Sequence, residues 1–197
     1  MQFLKVFIPI FVVVDPFGAL VIYISLTSGM NTSERLTVTK DAVIYGFLIL
    51  LLFALLGGTM LYFFGISIEA LEIAGGIILL VMGISMVREG DRPRAAGGNV
   101  EKDVGIVPLA TPLLAGPGAI SLVIILMNGG ILQGIFAIVS LLFVFGMIYV
   151  FFRRSSSIFR MLGERNLKAL TRILGLLVAG FAMQYIIDAV TAIVHGF

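Results

Sequence analysis

Cysteine is absent from this chain, and histidine occurs once, at His195 near its end. The first absence excludes disulfides, thiolate metal centres and thiol nucleophiles. The second leaves no HExxH pair. No GxSxG elbow is present either, and no GxxxxGK[ST] phosphate loop with which the chain itself would use ATP. Charge is scarce as well. Charged residues make up 12% of the chain, about half the share of a soluble domain. We therefore expect no catalytic residue, no metal, no cofactor and no nucleic-acid partner.

What fills the chain is apolar. Hydrophobic residues account for 60%, and the mean hydropathy is +1.16. From Ala42 to Ile68 run 27 residues without a charge, and from Val104 to Phe152 run 49. A transmembrane helix needs about 20 such residues, so the longer run holds two spans hinged at Asn128-Gly129-Gly130. A membrane barrel would need alternation of apolar and polar residues in strands of about 10, and these runs are apolar all round. Lys5 precedes an apolar run, as in a signal peptide. That run continues past Asp15 to about Ser28 without a small-residue cleavage site, so it is expected to be the first span.

The pattern predicts helices over 3–28, 38–64, 66–87, 104–127, 131–152 and 169–193. Between them we expect a polar link at 31–40, a tight turn at Gly65, a linker over 88–103 and a basic loop, "RRSSSIFRMLGERNLK". Six spans send twelve of the thirteen basic residues to one face and leave Lys5 on the other. Basic loops are retained on the cytoplasmic side. Both termini are thus expected outside, with the lipid bilayer as the chain's surroundings.

The two halves repeat weakly. "FIPI" (Phe7–Ile10) matches "IVPL" (Ile106–Leu109), and "ALEIAGGII" (Ala70–Ile78) matches "ALTRILGLL" (Ala169–Leu177), both at an offset of 99. Three spans per half is an odd number, so the second half is inverted, as in many secondary transporters. The expected fold is all-α, with six transmembrane helices as two inverted three-helix repeats, 1–87 and 104–197, joined by a cytoplasmic linker. Its first and fourth helices are expected to be discontinuous. Five of the six prolines fall in those two spans: Pro9 and Pro16 in one, Pro108, Pro112 and Pro117 in the other. Proline removes an amide donor, and a break in hydrocarbon is tolerable only against protein or a water-filled cavity. Paired breaks in inverted halves point to a midplane binding site. There the half-helices after each break aim free amides at an anionic group such as a carboxylate.

Asp15 belongs to the first break. An ionised carboxylate in a lipid-facing span costs roughly 2.5–3.5 kcal/mol on the insertion scale, so it should face a cavity or be protonated. Three roles are open to it: binding a substrate ammonium, carrying a coupling proton, or capping the half-helix that starts at Pro16. Gln184 and Asp188, one turn apart, are further candidates for gating or proton coupling, whereas Glu69 and Glu72 belong at a solvated interface. Ser25, Thr27, Tyr23, Thr111 and Ser121 either line a cavity or bond back to helix carbonyls. The pairs Ala42/Gly46, Ala54/Gly58, Gly130/Gly134 and Gly175/Ala179 have the spacing that lets membrane helices approach closely.

"VVVDPFGALVIYISL", "AGGIILLVMGISMV", "VPLATPLLAGPGAIS" and "LGERNLKALTRILGLLVAGFAMQYIIDAV" closely resemble the MarC family of bacterial and archaeal inner-membrane proteins. That family includes small neutral amino acid transporters of the SnatA type. The resemblance covers nearly the whole chain. It implies secondary transport of glycine, alanine and similar amino acids in symport with protons, from a site between the two broken helices. By motif position, Asp15, Pro16 and Gly18 match the first signature, and Pro108, Pro112, Ala115, Gly116 and Pro117 match the second. Gln184 and Asp188 match a pattern in the last span. With Thr111, inside the second signature, and Gly118, directly after it, these residues make up the expected binding site. Members often read "DPLGNLPIF" where this chain has Ala19 and Val21. Other functions compatible with the spans are export of a different small solute, an ion-conducting channel and an intramembrane enzyme. A channel calls for a ring of charges or carbonyls, and an aspartyl dyad calls for two midmembrane carboxylates where only Asp15 is clear.

Overall fold

The computed structural model describes residues 2–89 and 105–195; beyond its first two residues, the linker expected over 88–103 lies outside them. The elements are α1 (Gln2–Val14), α2 (Pro16–Leu26), α3 (Thr32–Phe64) and α4 (Ile68–Glu89). They are followed by a π-helix (Gly105–Leu114), α5 (Pro117–Asn128), α6 (Ile131–Arg153) and α7 (Ser155–His195). Among the described residues there is no strand. Among these residues, five stretches are long and apolar enough to cross a membrane: Gln2–Leu26, Thr32–Phe64, Ile68–Arg88, Ile131–Arg153 and Arg165–His195. The 12 residues of α5 rise only about 18 Å, short of a hydrocarbon core of about 30 Å. A crossing there also needs the π-helix before it.

Lipid is the solvent these helices fit. Tyr62 is 89% exposed, Phe63 83% and Ile131 87%, and α3 turns Leu48, Leu52, Leu55 and Leu56 outward. Its buried face instead carries Ala42, Gly46, Leu50, Ala54, Gly57 and Leu61. Small residues in and large ones out is membrane logic. Apolar burial gains little against lipid tails, and close backbone approach gains more. At Gly46 a Cβ would come within 2.9 Å of the Phe145 ring.

α4 and α7 approach each other backbone to backbone. A Cβ on Gly83 would meet the Gly175 carbonyl at 2.7 Å and the Ala179 amide nitrogen at 2.8 Å. These are backbone atoms with no freedom to yield. Gly180, on the same α7, has nothing within 4 Å of such a Cβ. Gly83→Ala is therefore expected to destabilise the protein by about 1–3 kcal/mol through overpacking. Gly180→Ala should stabilise it by up to about 1 kcal/mol through helix propensity. Thermal unfolding in detergent checks the pair.

Two helices start earlier than their sequence pattern predicts. α3 begins at Thr32 rather than 38, so the polar link expected at 31–40 is mostly helix. The cause is a capping box: Asn31 Oδ1 accepts from the amides of Ser33 at 2.9 Å and Glu34 at 3.0 Å. Glu34 Oε2 accepts from the Asn31 amide at 2.8 Å in return, so a polar stretch without apolar periodicity still nucleates a helix. The basic loop expected at 153–168 is likewise the start of α7, rich in good helix formers. Its one interruption is Gly163 at φ 72°, ψ 158°, a backbone open to glycine. The turns at Gly65 (φ 65°) and Gly130 (φ 106°) stand where expected.

Candidate functional site

Asp15 stands between α1 and α2 at φ 46°, ψ 72°, the one described non-glycine residue with positive φ. Left-handed backbone disfavours most L-residues, but aspartate tolerates it because its short side chain bonds locally. Its carboxylate does so here, with Oδ1 accepting from the Gly18 amide at 3.1 Å. Pro16 at the first helical position needs no acceptor. The swivel loses no ladder bond at Asp15 itself. Its amide donates to Phe11 O at 3.1 Å, and its carbonyl accepts from Ala19 N at 3.0 Å. Asp15 is only 6% exposed, so this carboxylate lies inside the protein and not against lipid.

The second interruption is built differently. Pro108 and Pro112 lie in the π-helix, where each lacks the amide that an α-helix would bond four residues back. Widening to five-residue spacing accommodates them. Ala115 continues that spacing by donating to Ala110 O at 2.9 Å, and Thr111 Oγ1 donates to Ile106 O at 3.3 Å. Gly116 then turns extended at φ −78°, ψ 166°, and α5 starts at Pro117 with no side chain capping it. Ile120 makes the first bond of the new helix, to Gly116 O at 3.0 Å. The amides of Gly118 and Ala119 come before it, in the turn of a helix that lacks internal acceptors.

Both places border the same packed core. α1 packs against α5, and α2 against the π-helix. Val14, Ala19 and Leu20 share one buried core with Leu114, Ala115 and Ala119. Both helix starts therefore adjoin the same buried core, with different chemistry. That of α2 carries a carboxylate, and that of α5 presents backbone amides alone.

Other candidates fall elsewhere. Gly118 is buried, and a Cβ there would meet Leu79 Cδ2 of α4 at 2.6 Å, so it also serves helix contact. Thr27 bonds back to Tyr23 O at 2.8 Å. Ser121 is buried against Gly75. Ser25, exposed, offers its carbonyl to Ser28 Oγ at 3.1 Å. Gln184 Nε2 donates to Asp188 Oδ1 at 2.8 Å on an exposed face of α7, unlike the buried Asp15. Antiparallel packing of α4 and α7, fixed where Gly76 faces Ala182 O, puts this pair at the end where Glu72 lies. Among the described residues no His, Asp or Glu group is placed to hold a metal.

A polar knot at the other end escaped the sequence. Tyr23, 1% exposed, shares a hydrogen bond with Thr39 Oγ1 at 2.9 Å and donates to Arg35 O at 3.1 Å. Its ring stacks on Phe152 at 4.2 Å. Arg35 lies 5.7 Å over that ring and donates to Ser155 Oγ at 3.0 Å and Ser156 Oγ at 3.4 Å. These contacts tie α2, α3, α6 and α7 across more than a hundred residues, and no local motif announces them.

A family profile described as MarC family integral membrane protein matches residues 1–194. The chain belongs to the MarC family. Among its relatives, a UPF0056 membrane protein of Methanocaldococcus jannaschii is 36% identical over 95% of both chains. The UPF0056 membrane protein YhcE of Escherichia coli is 32% identical over 98% of this chain and 94% of its own. No solved structure matches. As a MarC protein, the chain is a multi-pass integral membrane protein of a kind found in both bacteria and archaea.

Proposed function

We propose that this MarC protein is a secondary transporter of small neutral amino acids such as glycine and alanine. It works by alternating access around a site between the starts of α2 and α5, in symport with protons. The observation that carries this is the unlike chemistry of the two starts. A zwitterion has an ammonium for the Asp15 carboxylate and a carboxylate for the uncapped amides of Gly118 and Ala119. Pro16, Gly18, Thr111, Pro112, Ala115, Gly116 and Pro117 form the surrounding backbone. Gln184 and Asp188 are assigned to the outer gate or to proton passage.

The inverted repeat gains support from the element spacing. α3 starts at Thr32 and α6 at Ile131, 99 residues apart, the same offset as the sequence matches. The caps of α2 and α5, Asp15 and Gly116, are separated by nearly the same interval. The swivel at Asp15 and the π-helix before α5 are the irregular backbone that transporters place around a substrate. Uptake of labelled glycine or alanine into proteoliposomes, with and without a pH gradient, tests the proposal. A saturable flux that the gradient drives uphill is expected. Single-channel currents would point to a pore instead, and absence of both fluxes would remove the transporter.

The orientation follows from the basic residues. Arg35 meets Ser155 and Ser156 at one end of the bundle, beside Arg153 and Arg154, and basic ends stay cytoplasmic. We assign this end to the cytoplasm of a bacterial or archaeal cell and both termini to the outside. In a chain without native cysteine, Ser67→Cys should react with an impermeant thiol reagent on intact cells. Ser156→Cys should react only after permeabilisation. The opposite pattern overturns the orientation.

A further inference from the structure

At the basic end, α2, α3 and α7 enclose a cleft of about 420 Å³ lined by Ile24, Ser28, Arg35, Ser156, Phe159 and Arg160. Arginines from two different helices line this space. Arg35 is satisfied there by neutral serine hydroxyls, and among the described residues Arg160 makes no hydrogen bond. Among the described residues, no acidic side chain lines the cleft. Glu34, next to Arg35, is occupied in the capping box with Asn31. Two cations facing a space to which no described residue brings a counter-ion call for an anion. Guanidinium forks match phosphate oxygens, and the serine hydroxyls add donors.

The rest of the lining narrows the class. Ile24 and Phe159 give the cleft apolar walls that inorganic phosphate would leave unused. The cleft also lies where α2 ends, α6 has just ended in Arg153, and α7 begins, which is the level of lipid headgroups. We propose that this cleft binds the phosphate of an anionic phospholipid from the adjoining leaflet. Arg35, Arg160 and the Ser28 and Ser156 hydroxyls hold the phosphate, and Ile24 and Phe159 contact the glycerol and upper acyl chain. A charged acceptor outcompetes the serine hydroxyls for Arg35. The headgroup thereby joins α2, α3 and α7 at the Tyr23 knot, so the bound lipid stabilises the fold.

The test uses the full-length protein purified in an uncharged detergent, with thermal unfolding followed against added lipid. Phosphatidylglycerol should raise the unfolding temperature saturably, as a ligand of the native state does, and phosphatidylcholine should raise it less. Arg160→Gln should move the half-saturating phosphatidylglycerol concentration up about five-fold, the effect of one basic residue at an anionic surface. Adding Arg35→Gln should move it further, to about thirty-fold. Arg35 also braces the helix ends, so that double variant starts from a lower unfolding temperature. Arg160→Gln starts from the wild-type value and decides the matter alone. Equal stabilisation by the two lipids, or an unchanged midpoint in Arg160→Gln, overturns the site. Equal stabilisation by millimolar inorganic phosphate overturns the lipid and leaves a soluble phosphate as ligand.

Discussion

Gly116→Val is expected to lower the affinity for glycine and alanine about 10- to 150-fold while the protein stays folded. Gly116 has an extended backbone, φ −78° and ψ 166°, which any residue adopts. The substitution therefore brings no left-handed strain. What changes is access. Two methyl groups now stand at the start of α5, in front of the Gly118 and Ala119 amides that the proposal gives to the substrate carboxylate. A hydrogen bond to a charged group contributes about 1.5–3 kcal/mol, and losing it gives the stated range. Binding of labelled alanine to purified protein, beside its unfolding temperature, is the measurement. Wild-type affinity in Gly116→Val would remove α5 from the site. Gly18→Val probes the other start, but Gly18 is buried within α2. Its loss of binding would mix ligand approach with packing.

The parts of this fold that follow from composition were legible in advance. An all-helical chain in lipid follows from uncharged runs longer than any span needs, and the turns at Gly65 and Gly130 from glycines at the limits of those runs. The starts of α3 and α7 were not, because apolar periodicity was the guide and both begin in polar sequence. Asn31 and Glu34 are three apart, the spacing of a capping box, and would have revealed the first. The Arg- and Leu-containing run after Ser155 reads as helix by propensity but as loop by charge. The prolines marked an irregular segment before α5. A π-helix over Gly105–Leu114 is a different matter, since it depends on how eight amides find acceptors around two prolines. The knot of Tyr23, Arg35 and Ser155 is tertiary: its partners are adjacent only once the bundle is assembled.

At Asp15 three substitutions separate backbone, cap and charge. Asp15→Asn should cost at most a few tenths of a kcal/mol in stability, because asparagine caps as well and tolerates the left-handed backbone equally. Asp15→Gly relieves the backbone and loses the bond to Gly18, again at a few tenths of a kcal/mol. Asp15→Ala loses the cap, about 0.5–2 kcal/mol, and places a β-carbon at φ 46° for roughly 1–2 kcal/mol more. Alanine should therefore be the least stable of the three by a clear margin. Transport divides them differently. In the proposed site Asp15 caps α2 and also faces the substrate ammonium, so Asp15→Asn exchanges a charged acceptor for a neutral one. The difference between such hydrogen bonds is about 1–1.5 kcal/mol, or roughly 5- to 12-fold in affinity. Accumulation driven by a pH gradient should survive in Asp15→Asn once substrate is saturating, because the coupling proton then travels by another group. Asp188, bonded to Gln184 at 2.8 Å, is the candidate, and Asp188→Asn should abolish that accumulation. Asp15→Asn proteoliposomes that exchange alanine normally yet cannot concentrate it would return the proton to Asp15 and leave Gln184 and Asp188 as a gate.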